Sequence, residues 1–332
     1  MVALFHYSHT SSLHHSNKKL KITGTFLDEI SHDIPHQNWG VQEWARDFDY
    51  MQSIGIDTVI LIRCGYKRWM TFDSPYLKKK EGVYAPSTDL VDMFLTLAEE
   101  RGMSFFFGLY DSGKYWWKQQ DFKTETELNL GLIEEVWKKY GHRKAFKGWY
   151  LSQEVSRRSK GAIDLYVRLG QHCKDISNGL PIMISPYIDG TKAILSSESS
   201  LTKTDATNLK QHESEWNEIF DGIQKVVDIV AFQDGHVDFH ELADYLAVNK
   251  QLADKYSMQS WSNLESFDRD MPIKFLPIKW EKMWMKLRAA QQAKVDKIIT
   301  FEFSHFMSPQ SAYLQAGHLF NRYKEWSGGI VE

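Results

Sequence analysis

Short runs of apolar, β-branched or aromatic residues alternate along this chain with longer stretches of helical periodicity, and the cycle recurs about eight times. The short runs predict strands at Ile22–Leu27, Thr58–Arg63, Ser104–Tyr110, Gly148–Ser152, Ile182–Ser185, Ile229–Gln233, Met258–Trp261 and Ile298–Phe303. Two of them, Thr58-Val-Ile-Leu-Ile and Ile229-Val-Ala-Phe, are continuously apolar, as a parallel strand covered on both faces requires. The longer stretches predict helices. Gln42–Ile54 sets Trp44, Phe48, Met51 and Ile54 on one face with Gly55 just beyond as a C-cap, and Thr88–Arg101 closes at Gly102. Glu125–Tyr140, Ala162–Ile176, Glu213–Val226, Phe239–Lys255, Ile278–Ala293 and Gln310–Trp326 complete the set.

Repeated β-then-α units of about forty residues predict an α/β chain closed into a (β/α)8 TIM barrel rather than an open doubly wound sheet. No low-complexity linker divides the chain, so one barrel domain is expected over residues 21–332, preceded by a short Ser- and His-rich extension over 1–20.

Composition narrows the function. A formal charge of −3 and a pI near 6.5 give no electrostatic reason to expect nucleic acid or an anionic membrane as partner. No run of about eighteen apolar residues is present to span a bilayer. The amino terminus lacks a basic segment followed by an apolar run, so no secretory signal is read. A cytoplasmic location is expected, or a periplasmic or secreted one if the chain has been trimmed. The two cysteines, Cys64 and Cys173, have no paired spacing and suit structural thiols. No GxGxxG follows the first strand and no GxxxxGK[ST] occurs, which removes the usual nucleotide-binding reading, and no cofactor is expected. Nothing in the pattern sets an oligomeric state. Aromatic residues make up 14% of the chain, and although most Phe suit a core, Trp and Tyr in loops suit a sugar cleft, where flat faces stack on a pyranose.

In a barrel, catalytic groups gather at the carboxyl ends of the strands. The predicted exits carry Asp28 and Glu29; Arg63 and Tyr66; Tyr110, Asp111, Trp116 and Trp117; Gln153 and Glu154; Tyr187; Gln233, Asp234 and His236; Trp261, Asn263 and Glu265; Glu302 and His305. Two carboxylates, Glu154 and Glu265, at the exits of two strands are the minimum equipment for glycosidic hydrolysis. Each feature has a plainer alternative. Glu154 suits a helix N-terminus, and Glu265 suits an exposed loop. Glu302, flanked by phenylalanines, is expected in the barrel mouth as a partner for Arg63. Trp116 and Trp117 suit a core, although two adjacent residues cannot both face inward on one strand. His236, His240 and His305 form neither HxH nor HExxH, so no metal site is expected.

The residues resemble known families. The strand-four and strand-seven glutamates resemble those of the retaining (β/α)8 glycosidases called clan A. That resemblance implies that Glu154 is the acid/base and Glu265 the nucleophile. More closely, Ile22-Thr-Gly-Thr-Phe, Met51-Gln-Ser-Ile-Gly-Ile-Asp-Thr-Val-Ile-Leu, Gly108-Leu-Tyr, Gly148-Trp-Tyr, Ile184-Ser-Pro-Tyr, Phe232-Gln-Asp-Gly and Glu302-Phe-Ser-His-Phe-Met-Ser-Pro are similar to a bacterial barrel family catalogued as domain of unknown function 4434. One position departs from the clan pattern, which places Asn before the acid/base to hold the sugar 2-hydroxyl: here it is Gln153, preceded by Ser152.

The expectation is a retaining glycoside hydrolase acting on an oligo- or polysaccharide. Glu265, ionised beside Arg63 or Tyr187, attacks the anomeric carbon; Glu154, protonated against its apolar strand and Trp149, delivers a proton to the leaving oxygen. Trp116, Trp117, Trp261 and Tyr187 form the sugar platform, and Gln233, Asp234 and Asn263 bond ring hydroxyls. Asp28, Glu29, Tyr110 and Gln153 join the binding set, together with Arg63, Glu302 and His305. Two other classes compete: a barrel that binds carbohydrate without cleaving it, and a lyase or metal-dependent enzyme working through Asp28, His236 and Asp234.

Overall fold

The computed structural model describes residues 19–31, 34–190, 192, 206–270 and 275–328; most of the expected amino-terminal extension lies outside them. Eight parallel strands close on themselves. In chain order they are β1 Ile22–Leu27, β2 Thr58–Leu61, β3 Ser104–Gly108, β4 Phe146–Leu151, β5 Ile182–Ile184, β6 Ile229–Gln233, β7 Gln259–Glu265 and β8 Lys297–Phe301. Each pairs with its sequence neighbours, and the ring is completed by β1 against β8, with Thr25 opposite Thr300. This is the expected (β/α)8 barrel.

The outer ring is built from α1 Val41–Ser53, α2 Leu90–Glu100, α3 Phe122–Tyr140, α4 Lys160–Ile176, α5 Leu209–Ile223, α6 Leu242–Lys255, α7 Trp280–Ala293 and α8 Leu314–Ser327. Their starts follow side-chain capping where the sequence provides it. Asp89, Asp121 and Asn208 each accept a backbone N–H from the residue three positions on. α8 also secures the seam, because the buried Tyr323 hydroxyl accepts the Ile22 N–H at 2.8 Å.

Two cores result from the two faces of the strands. The larger lies between barrel and helices and holds Trp44, Phe48, Trp149 and Trp216. The smaller fills the barrel itself with Phe26, Ile60, Phe106, Tyr150, Met183, Ala231, Trp261 and Ile299. Small additions sit on the carboxyl side of the strands. Gly65–Tyr66, Trp69–Met70 and Tyr110–Asp111 form a three-stranded sheet, and a wide helical turn spans Tyr115–Gln119. Cys64 and Cys173 are both buried free thiols. No described helix is long and apolar enough to cross a membrane.

The main boundary difference falls on β7. The sequence reading ends this strand at Trp261, whereas it runs on to Glu265. Ser260, Ser262 and Asn263 are all buried, so the polar letters that suggest a loop mark a strand in close contact with its surroundings.

Candidate active site

Alternation along each strand sorts the residues at the carboxyl mouth. On β4, Tyr150 points into the barrel; counting on by twos leads to Ser152 and Glu154, both of which line a cavity at the mouth. On β6, Ala231 leads to Gln233, and on β7, Trp261 leads to Asn263 and Glu265, and these three also line the mouth. Residues one step out of phase go the other way. Gln153 turns toward α3, where its Nε2 donates to Glu125 at 3.1 Å and to the Tyr110 carbonyl at 3.0 Å. Asp234 turns toward α7 and accepts from Lys286 Nζ at 2.7 Å. Glu302 caps the helical turn Phe303–Phe306 by accepting the Ser304 and His305 N–H groups.

Two contiguous cavities share Arg63 and Glu154 as a common wall. The inner one, about 250 Å³, holds both glutamates, with Ser31, Gln233, Asn263 and Arg269 as its other polar lining besides Arg63, and Ile34, Phe267, Phe275 and Phe301 among its apolar walls. The outer one, about 400 Å³, is bounded by Tyr66, Trp116, Trp117 and Tyr187. Both volumes suit a ligand of one or two sugar rings, near the low end of typical small-molecule sites (roughly 300–1,000 Å³).

Glu265 is only 2% exposed, yet Arg269 grips it with two bonds, Nε at 2.6 Å and an Nη at 2.7 Å. Burial pushes the Glu265 carboxyl up, but the Arg269 charge and hydrogen bonds, reinforced by Lys286, outweigh it and hold the group at about 2. Its backbone is fixed as well: Asp234 Oδ1 accepts the Glu265 N–H at 3.0 Å, and Lys286 donates to the Glu265 carbonyl at 3.0 Å. Gly235 lies directly against the pair. A Cβ there would stand 1.8 Å from Glu265 Oε2 and 2.4 Å from Arg269 Nε. Behind Gly235, burial lowers the His236 imidazole to about 4, and Arg269 adds to the effect.

Glu154 is more open, with 26% of its side chain exposed, and lies 3.7 Å from an Nη of Arg63. Arg63 also faces Asp111 at 3.4 Å. Burial works against the Arg63 charge, but Glu154, Asp111 and Asp28 raise its pKa overall. Asp111 in turn accepts Trp116 Nε1 at 3.0 Å, which sets the plane of that indole. Asn263 donates to Ser185 Oγ at 3.0 Å, while its Oδ1 has no hydrogen-bond partner among the described residues. Gln233 donates to the Ser185 carbonyl at 2.8 Å.

Several expectations need correction. The cation on Glu265 is Arg269, which sequence reading missed, and not Arg63 or Tyr187. Trp149 does not touch Glu154: it points out of the barrel, with its Nε1 on Ser177. Trp261 is no platform, because it plugs the barrel interior four residues before the mouth. Tyr110 is 1% exposed and belongs to the outer core, its hydroxyl on the Lys67 carbonyl. Gln153 and Asp234 are each 1% exposed and occupied with Glu125 and Lys286. Glu302 is fully buried and partners His305 Nδ1 at 2.5 Å rather than Arg63. His305, itself buried, spends its other nitrogen on the Pro35 carbonyl. Glu29 sits beside that pair outside both cavities, and burial lifts it to about 7. Asp28 closes a turn by accepting the Ile30 and Ser31 N–H groups, so it shapes the rim without lining it. No group of three or more His, Cys, Asp or Glu among the described residues is arranged to hold a metal.

The fold and this mouth define a (β/α)8 barrel with a polar, aromatic-edged pocket at the face where such barrels carry their sites. The chain belongs to the family described as Domain of unknown function (DUF4434), which matches residues 22–313. A solved structure from Bacteroides thetaiotaomicron VPI-5482, provisionally called an alpha-L-fucosidase, is 63% identical, with TM-score 0.90 over 95% of this chain and 97% of that one. The endo-1,4-beta-mannanase from Rhizomucor miehei shares the fold at 12% identity, with TM-score 0.55 over 85% and 86%. The beta-D-glucuronidase of Dictyoglomus thermophilum does so at 16% identity and TM-score 0.52, over 92% of this chain and 50% of that one. No curated protein matches the sequence.

Proposed function

We propose that this protein is a retaining glycoside hydrolase in which Glu265 attacks the anomeric carbon and Glu154 serves as acid/base. The observation that carries the reading is the shared inner cavity: two carboxylates from different strands face one space of sugar size. Their environments differ as the chemistry needs. Glu265 is buried and stays ionised, and Glu154 is open to the outer cavity, through which a leaving group departs and water enters. Arg269 does not exhaust Glu265, since a carboxylate offers about four lone-pair sites and the guanidinium occupies two.

Asn263 and Gln233 bond ring hydroxyls, and Tyr187, Trp116 and Trp117 supply stacking faces. The apolar side of the inner cavity, Phe267 and Phe301 above all, suits the C6 methyl of a deoxyhexose. The name given to the Bacteroides relative makes an α-L-fucoside the first substrate to test.

The test is hydrolysis of aryl and alkyl α-L-fucosides, then of a wider glycoside panel, with the product anomer followed by NMR. Glu154→Gln should lower kcat/KM on alkyl leaving groups by about 10²–10⁴-fold and far less on dinitrophenyl ones, which leave without a proton. Glu265→Gln should abolish both. Product of inverted configuration, or full activity in either variant, defeats the assignment. A barrel that binds sugar without cleaving it is the competing reading, favoured by the two-pronged hold of Arg269 on Glu265. Calorimetric heat with no new reducing ends would select it.

A further inference from the structure

We infer that the outer cavity receives the leaving-group side of the substrate and selects one carrying an anionic substituent, a carboxylate or a sulfate ester. The inference rests on the hydrolase reading for its placement, because Glu154 and Arg63 form the boundary across which the scissile bond would lie. Its content comes from charge. Arg63, Lys67 and Lys118 line the outer cavity against two carboxylates, Asp111 and Glu154, and both of these stand within 4 Å of Arg63. Lys67 and Lys118 are exposed and have no carboxylate at ion-pair distance among the described residues. Among the described residues the lining thus carries three cations against two carboxylates, a surplus of one positive charge, and both carboxylates are drawn to Arg63 rather than to the two lysines at the aromatic floor.

Lys67 is held in place rather than trailing in solvent. Its backbone adopts φ +55°, a conformation uncommon for a non-glycine residue, and both backbone groups are engaged: the N–H donates to the Asp111 carbonyl at 3.0 Å and the carbonyl accepts the Tyr110 hydroxyl at 2.5 Å. The side chain lies across Gly113, where a Cβ would meet Lys67 Cγ at 2.8 Å and Cε at 3.1 Å. The ammonium stops 4.8 Å from the centre of the Tyr66 ring. A lysine laid along a glycine and over a ring loses less freedom on meeting a ligand than an unsupported one. Trp117 is 56% exposed beside it, leaving a free indole face for the sugar ring that bears the charge.

The experiment measures binding to the full chain by tryptophan fluorescence and calorimetry, with tetragalacturonate as the carboxylate probe, a chondroitin sulfate tetrasaccharide as the sulfate probe, and cellotetraose as the neutral control. At low salt one anionic probe should bind about tenfold more tightly than cellotetraose, and which of the two does so identifies the substituent. The preference should shrink as salt rises from 20 to 500 mM and fall to within about twofold in the Lys67→Gln/Lys118→Gln double variant, because the two surface ammonium groups supply it. Equal affinity for charged and neutral probes, failure of both anionic probes to bind, or a preference unchanged in the double variant overturns the inference. Hydrolysis is scored separately, so loss of the catalytic reading and loss of the charge preference cannot be mistaken for one another.

Discussion

Gly235→Ala tests the arrangement at Glu265 most directly. The glycine φ lies outside the left-handed region, so alanine meets no backbone objection there; the conflict is one of space. The added carbon would lie 1.8 Å from Glu265 Oε2, whereas ordinary contact begins at 3.4 Å, so carboxylate and backbone must separate by about 1.6 Å. The guanidinium of Arg269 must yield too, with its Nε 2.4 Å away. A misplacement of about 1 Å at a reacting group can cost about a hundredfold in rate. We therefore expect kcat/KM to fall at least about 100-fold on any glycoside the wild type cleaves, equivalent to about 2.7 kcal/mol of barrier. Overpacking should also lower stability by about 1–3 kcal/mol, read by urea denaturation. Gly102→Ala serves as control, since its φ of +64° and open surroundings predict a stability loss of about 1 kcal/mol with activity retained. A folded Gly235→Ala protein within threefold of wild-type activity would refute the placement of Glu265 in the reaction.

Three further outcomes follow from the charges. Wild-type Glu265, held at about 2, should impose no acid limb on kcat/KM above pH 3, and Arg269→Met should move that limb upward, since burial is then opposed only by the weaker pull of Lys286 and His236; an unmoved profile removes Glu265 as the nucleophile. Lys286→Met strands the Asp234 carboxylate at 1% exposure and should cost about 3–5 kcal/mol in denaturant unfolding, whereas a loss under 1 kcal/mol would show the pair to be idle. At His305 burial lowers the pKa but Glu302 outweighs it and lifts the imidazole to about 9, above its ordinary 6.5. The stabilisation is therefore complete below about pH 6.5 and lost as pH climbs through 9, on the order of 3 kcal/mol, and His305→Gln should flatten the melting profile over that window.

Much of the barrel is legible in the chain because buried parallel strands and amphipathic helices leave opposite periodicities. Ile22–Leu27 and Ile229–Gln233 match to the residue. The site is less legible because the position of a polar residue at a strand exit does not by itself say whether it faces the mouth or the helices. Counting by twos from an inward anchor separates Glu154 from Gln153 and Gln233 from Asp234, but the anchors Tyr150 and Ala231 stand in continuously apolar runs that hide which face is inward. For β7 the sequence pattern ends at Trp261, which sets an interior plug at the rim. Arg269 carried no local signal: its link to Glu265 depends on the chain turning back after β7, through Phe267–Asp268 paired with Leu276–Pro277. Glu125, lifted by burial to about 7 and bonded to Ser112 and Gln153, looked like any acidic residue in the first turn of a helix.

The seam between β1 and β8 has a consequence for biosynthesis. The ribosome releases Ile22–Leu27 long before its partner Lys297–Phe301, and the Tyr323 hydroxyl that fastens Ile22 emerges later still. Until then a nascent chain carries an open sheet with two unsatisfied edges, the condition most prone to mispairing with a neighbour. A stop codon before α8 should therefore yield an aggregating polypeptide rather than a slightly weakened enzyme.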